Sequence, residues 1–310
     1  MKFQHLKYFT AFSLPLLAFV AMNTSGWTTF LPLIEAFVLI PILELLAKPR
    51  MKNLSLAEEK AAVNSKGFDW VLYLISAIHF GLLLQFLMVI GSTESRLDIA
   101  GRVLSMGLIC GAIGINVAHE LGHRNNKTEQ FLAQALLLTS LYMHFFIEHN
   151  RGHHKNIATP KDPATARKGE SLYIFWFRAI FKSYRHAWQI ENMSMQKKGV
   201  AVWSLKNQML RFQLIQMVFL ALLFFVYGWF VTVCFIAAAI IGFLLLETID
   251  YVEHYGLLRK EISNGVYERV QPHHSWDSNY PVGRLMLFEL SRHADHHYLA
   301  NRKYQILRSH

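Results

Sequence analysis

Long apolar runs alternate with polar segments along this chain. Six runs reach or approach the roughly 20 residues that a bilayer crossing takes, at approximately 8–22, 27–47, 70–91, 101–118, 211–227 and 229–248. The last two form one stretch, "RFQLIQMVFLALLFFVYGWFVTVCFIAAAIIGFLLLE", which is too long for a single span. Tyr227-Gly228-Trp229 at its centre predicts a tight hairpin, because aromatic residues favour the membrane interface. A seventh run, 131–148, carries Gln134, His144 and Glu148. It is expected to stay buried or re-entrant rather than cross, which keeps the polar segments before and after it on one side. Within 151–210, "SLYIFWFRAIFKSYRHAWQIE" interleaves aromatic and basic residues at helical spacing, the pattern of a helix lying in an interface. The expected fold is all-α and integral to a membrane. It is one membrane-embedded domain over 1–310, with six transmembrane helices and a cytoplasmic helical cap built from segments 119–210 and 249–310.

Composition agrees with the pattern. Of the 310 residues, 53% are hydrophobic and only 17% charged, against about a quarter charged in soluble domains. The N-terminal "MKFQHLKYFTAFSLPLLAFVAMN" has two lysines and a short apolar core. No small-x-small cleavage site follows, so a first transmembrane helix is expected in preference to a signal peptide. Lys and Arg concentrate in "MKFQHLK" and "AKPRMKNLSLAEEKAAVNSKG", whereas the turns "NTSG" and "GSTESRLDIAGR" carry little net charge. The positive-inside rule places both termini and the 48–69 loop in the cytoplasm. A bacterial inner membrane is the expected location. The net charge of +10 suits anionic lipid or an acidic soluble partner. No basic aromatic module of the nucleic-acid-binding kind is present. Cys110 and Cys234 both lie in apolar runs, which indicates neither a disulfide framework nor a cysteine-rich metal site.

Histidine changes the picture. Nine of the 16 fall in four clusters: His119 and His123 in "HELGH", His149, His153 and His154 in "EHNRGHH", His254 in "DYVEHYGLL", and His293, His296 and His297 in "RHADHH". Spacings of three to five residues keep each cluster on one side of a helix. The H-E-x-x-H pattern alone fits a zinc hydrolase with Glu120 as general base. A catalytic zinc needs only three protein ligands, however, and that reading leaves seven histidines idle. A metal transporter or sensor would spread its ligands along a path through the membrane, whereas these gather at one end. Two metals sharing nine imidazoles account for all of them. Imidazole suits iron, zinc and copper alike. A redox-active pair of non-haem irons is the choice that makes sense beside a lipid phase, where it would activate oxygen against an inert C–H bond. Each cluster also places an acid next to a histidine: Glu120, Glu148, Glu253 and Asp295. These are expected to accept the second ring N–H of a ligating histidine and fix its orientation. His5, His79, His186 and His310 are expected to be ordinary surface or core residues, and His144, His273 and His274 to have supporting roles.

The strings "HELGHR", "EHNRGHH", "EHYGLLR", "PHHSWDSN" and "RHADHH" together resemble the motif set of membrane-bound alkane 1-monooxygenases. That family stands with the xylene monooxygenases among the histidine-rich membrane hydroxylases and desaturases. The resemblance covers roughly 101–305. It implies a di-iron centre held by His119, His123, His149, His153, His154, His254, His293, His296 and His297. It implies that O2, two electrons and an alkyl terminus drawn from the bilayer give a primary alcohol and water. The electrons would come from rubredoxin or a ferredoxin-like donor with its reductase. Fatty-acid or lipid desaturation and aryl-methyl hydroxylation are the alternatives within the same superfamily. Three features depart from the family's pattern: Asp277 where Asn is usual, Glu44 where Asp is expected, and a chain that stops at "YQILRSH" before the customary tail.

Overall fold

The computed structural model describes residues 4–310; Lys2, one of the lysines ahead of the first span, lies outside them. Among the described residues, five helices are long and apolar enough to cross a membrane. They are α1 (Gln4–Asn23), α2 (Gly26–Leu46), α3 (Lys66–Ile90), α4 (Arg96–Gly122) and a 46-residue fifth, Gln208–Glu253. A straight helix of that length would run about 69 Å, more than twice the hydrocarbon thickness. It is not straight: at Gly228 the backbone takes φ 86° and ψ 172°, in the region that favours glycine. Phe219 and Phe235, either side of that break, then meet edge to face at 5.4 Å. The chain therefore folds back on itself at the Tyr-Gly-Trp break, as the sequence predicts.

The helices start where the local chemistry allows. Ser95, Asn126, Ser171 and Asn207 each accept a backbone N–H in the first turn that follows, meeting a donor that has no partner inside the helix. α4 and the returning arm of the fifth helix approach closely through small residues. A Cβ on Gly111 would lie 2.8 Å from the Gly242 carbonyl, and one on Gly242 would lie 2.8 Å from Cys110 Cβ. Such contacts let backbones pack without water or polar side chains between them.

The 131–148 run is not a spanning helix. A 12-residue helix, α5 (Lys127–Leu138), rises only about 18 Å before turns at 139–144 end it, with Leu141 at φ 51°. The "SLYIFWFRAIF" stretch forms α6 (Leu172–Lys197), which buries every fourth residue from Phe175 to Met195. Tyr173, Phe177 and Phe181 remain exposed on its outer side. The Trp176 indole N–H donates to Thr248 Oγ1, fixing α6 against the returning arm. The all-α expectation needs one correction. Glu261–Ser263 and Val266–Tyr267 form a small antiparallel ribbon, because Asn264-Gly265 supplies the tight turn that pairs strands, with Gly265 at φ 71°.

Candidate metal centre

Four stretches of chain present the clustered histidines to one point. α4 ends in His119 and His123, after a π-helical turn over Cys110–Ile115. A second π turn, His149–His153, follows α5 and its turns. A short helix, α7 (His293–Tyr298), brings His293, His296 and His297 in from the C-terminal side, while His254 closes the fifth long helix. All nine sequence-predicted histidines converge, and they sort into two sets. His119, His123, His149, His154 and His296 form one; His153, His254, His293 and His297 form the other. Within each set the candidate ligand atoms lie within 4.8 Å of one another.

The nitrogens that meet are Nε2 atoms. In the five-histidine set, His149 lies 3.1 Å from His123 and 3.0 Å from His154, and His296 lies 3.1 Å from His154. In the other, His297 lies 3.2 Å from His153 and 2.7 Å from His293, and His293 lies 3.1 Å from His254. A metal–nitrogen bond of about 2.1 Å puts adjacent ligands of an octahedral ion roughly 3.0 Å apart. Burial pushes the His123 imidazole down to about 3, and His149, His154, His296, His254, His293 and His297 well below their ordinary value. These rings are therefore neutral and offer lone pairs. His119 Nε2 is buried with no hydrogen-bond partner among the described residues, a costly state unless a cation meets it. The residues fit a pair of metal ions.

His153 behaves differently. Burial would lower it, but the Asp162 carboxylate, 3.0 and 3.1 Å from its Nδ1, outweighs that and holds the ring up to about 9. Asp162 is thus the acid that orients a histidine of the centre. It accepts the Nδ1–H hydrogen bond and leaves Nε2 facing the other rings. Thr165 Oγ1 and the Ala164 N–H in turn donate to Asp162. Sequence reasoning passes over Asp162. Its only signal is an acid between prolines in "TPKDPAT", an irregular loop directly after the second cluster.

None of the four predicted acids holds a second ring N–H of the nine. Glu120 Oε1 accepts from Arg124 Nε at 2.9 Å and Nη2 at 2.6 Å, and Arg124 reaches on to Asp69 of α3. Glu148 Oε1 pairs at 2.9 Å with Nδ1 of His186 on α6, a residue expected to be ordinary. Asp295 receives Arg302, the Arg308 N–H and His310 Nε2, which fasten the C-terminal segment onto α7. The reason is geometric. Neighbouring residues on a helix point about 100° apart, so an acid beside a ligand faces away from that ligand's ring. These acids instead lock together the elements that carry the histidines. Glu253 is the exception in direction: its Oε2 lies 3.2 Å from His293 Nε2, on the side that faces the other rings. The remaining histidines stand outside the centre. His79 is buried against Thr139, His144 is buried beside Tyr142, and His273 and His274 sit with Glu268 on a separate loop.

Below the rings lies a cavity of about 270 Å³. His119, His149, His293 and Glu253 form its head, and Leu108 and Leu245 lie deeper between α4 and the returning arm. From His119 to Leu108 along α4 is about three helical turns, or roughly 16 Å. The cavity also reaches Phe37 of α2, which is 57% exposed on the apolar outer surface. Glu44, at the end of α2, accepts the Gly283 N–H at 2.7 Å and ties that helix to the cap.

Comparison with known proteins bears directly on this arrangement. The family model for fatty acid desaturases matches residues 98–310. The alkane 1-monooxygenase of Pseudomonas putida is 35% identical over 297 residues, covering 95% of this chain and 74% of the relative. Alkane 1-monooxygenase 2 of Pseudomonas aeruginosa is 38% identical over 278 residues, 88% and 73% of the two chains. The xylene/toluene monooxygenase hydroxylase component of Pseudomonas putida is 28% identical over 217 residues, 68% and 58%. With nine converging imidazoles above an apolar cavity, and this likeness along nearly its whole length, the chain belongs to the alkane 1-monooxygenases within the fatty acid desaturase family.

Proposed function

We propose that this protein is a di-iron monooxygenase that inserts one atom of O2 into a terminal C–H bond of an alkane or alkyl chain. Two electrons and two protons complete the balance, giving a primary alcohol and water. The observation that carries the reading is the apolar cavity that ends against His119, His149 and His293. The irons, when bound, supply the oxygen activation that an inert C–H bond requires. The chain's own residues do the rest. The nine histidines are the ligands, five for one iron and four for the other. Asp162 fixes the His153 ring. Leu108 and Leu245 help hold the alkyl chain dry, with its terminus under the ligands. Desaturation or aryl-methyl hydroxylation would use the same metals and fold, but the relatives at 34–42% identity are alkane 1-monooxygenases. Purified protein should carry near two irons per chain by elemental analysis and convert alkanes to 1-alcohols in a donor-driven assay. One zinc per chain, or an alkene as product, overturns it.

The Gly228 hairpin makes six crossings of the five long helices, with the termini, the 48–69 loop and the metal centre in the cytoplasm. This topology rests on the distribution of Lys and Arg. Cysteine labels at positions 126 and 168, both exposed and on either side of the 131–148 run, should react from the same face of sealed inner-membrane vesicles. Reaction from opposite faces ends this arrangement.

The electron donor is an acidic carrier of the rubredoxin type. His123 borders two solvent-open clefts whose rims include Lys127, Arg151, Arg211 and Lys303. Complementary charge of this kind steers encounter and is weakened by salt. The double variant Lys127→Glu/Arg211→Glu should raise KM for the donor about fivefold or more, an effect that shrinks with added salt, while iron content stays at the wild-type level. An unchanged donor KM at low salt removes this face from consideration.

A further inference from the structure

A second cavity, of about 200 Å³, lies directly behind the first. The two share a wall formed by Ile249, Glu253, Leu287 and Leu290. Beyond that wall the second cavity is bounded by Val252, Trp276, Asp277, Ser278 and Ser291. Its walls are largely apolar, but it has a carboxylate at each end, Glu253 inside and Asp277 outside. Ser291 Oγ is buried there with no partner among the described residues. The outer side is marked by Val252 and Trp276, 56% and 55% exposed, just past the apolar part of the last long helix. Tryptophan at such a place is typical of the level of lipid headgroups.

The chemistry of the product gives this cavity a use. A primary alcohol differs from its alkane by one hydroxyl, formed at the head of the inner cavity. Leaving by the way the substrate entered would drag that hydroxyl along a lining that is apolar apart from Asn116 and Asp250, where it finds few hydrogen-bond partners. Glu253 faces both cavities, and its carboxylate accepts a hydroxyl at the point where the hydroxyl appears. We propose that the second cavity is the exit for the primary alcohol, handed across Glu253 to Ser291 and Asp277 and released at the membrane interface, while the alkane enters past Phe37. This rests on the hydroxylase reading given above.

The test separates release of alcohol from release of alkane. Val252→Trp and Ser278→Phe each place bulk in the second cavity alone, at positions that touch no histidine of the centre. Radiolabelled 1-decanol and decane are loaded on the full-length protein in nanodiscs, and their dissociation is followed by rapid filtration. The alcohol should leave about tenfold more slowly from the variants, with decane release unchanged and first-turnover product formation intact, so that product release limits the steady state. Unchanged alcohol release in both variants overturns the proposal, as does equal slowing of both probes or a wild-type protein with no saturable decanol binding. A wild-type enzyme that forms no alcohol from any alkane overturns the hydroxylase reading instead, however decanol dissociates.

Discussion

Replacing His149 with alanine should abolish alkane turnover and, if the protein carries the proposed two irons per chain, lower iron towards one. His149 is central to the five-histidine set. Its Nε2 lies about equally far from His123 and His154, at 3.1 and 3.0 Å, and its ring also forms part of the head of the substrate cavity. The variant loses one donor and opens a gap beside the reacting carbon. Even residues one bond further from a metal change affinity 10- to 100-fold, so a direct ligand is expected to exceed about 100-fold. Elemental analysis normalised to protein, with a donor-driven assay on the same sample, reads both effects. Full activity with two irons retained would sink the assignment of His149.

The second large effect is expected at a residue that contributes no ligand. Asp162→Asn should weaken metal binding by the four-histidine set about 10- to 100-fold and leave the five-histidine set loaded. The carboxylate accepts the His153 Nδ1–H inside a fully buried pair, at 1% and 0% side-chain exposure, so no solvent replaces the lost charge. Dialysis against a moderate chelator should bring the variant to about one iron per chain under conditions where the wild type keeps two. Spectroscopy should find the remaining iron in the all-histidine environment of the wild-type five-histidine set. Equal loss from both sets would make Asp162 a residue of general stability instead.

These two residues mark what could be read from the sequence. His149 was legible because three histidines within six residues, beside an apolar run, have few other uses. The hairpin at Gly228 was legible because 37 consecutive membrane-type residues cannot form one crossing. Division of the histidines into two sets was not. His153 and His154 are adjacent and belong to different sets, as do His296 and His297. Consecutive helical side chains diverge, and the π turn at His149–His153 shifts their directions again. Asp162 was missed because its partner is set by the path of an irregular loop, which no periodicity records. The acids beside the histidines were assigned to the wrong neighbours for the opposite reason: sequence adjacency was taken as spatial adjacency, and a helix turns adjacent side chains apart. His186 was overlooked because one histidine on an amphipathic helix carries no signal until Glu148 is seen opposite it.

The sorting of the histidines also fixes an order of biogenesis. The five-histidine set needs His296, and the four-histidine set needs His293 and His297. Both sets therefore stay open until His293, His296 and His297 have been synthesised and α7 has docked. The five long apolar helices among the described residues are all synthesised before α7. A chain cut short before 293 would be inserted yet unable to close either site. A metal held by either set would join α7 to earlier parts of the chain.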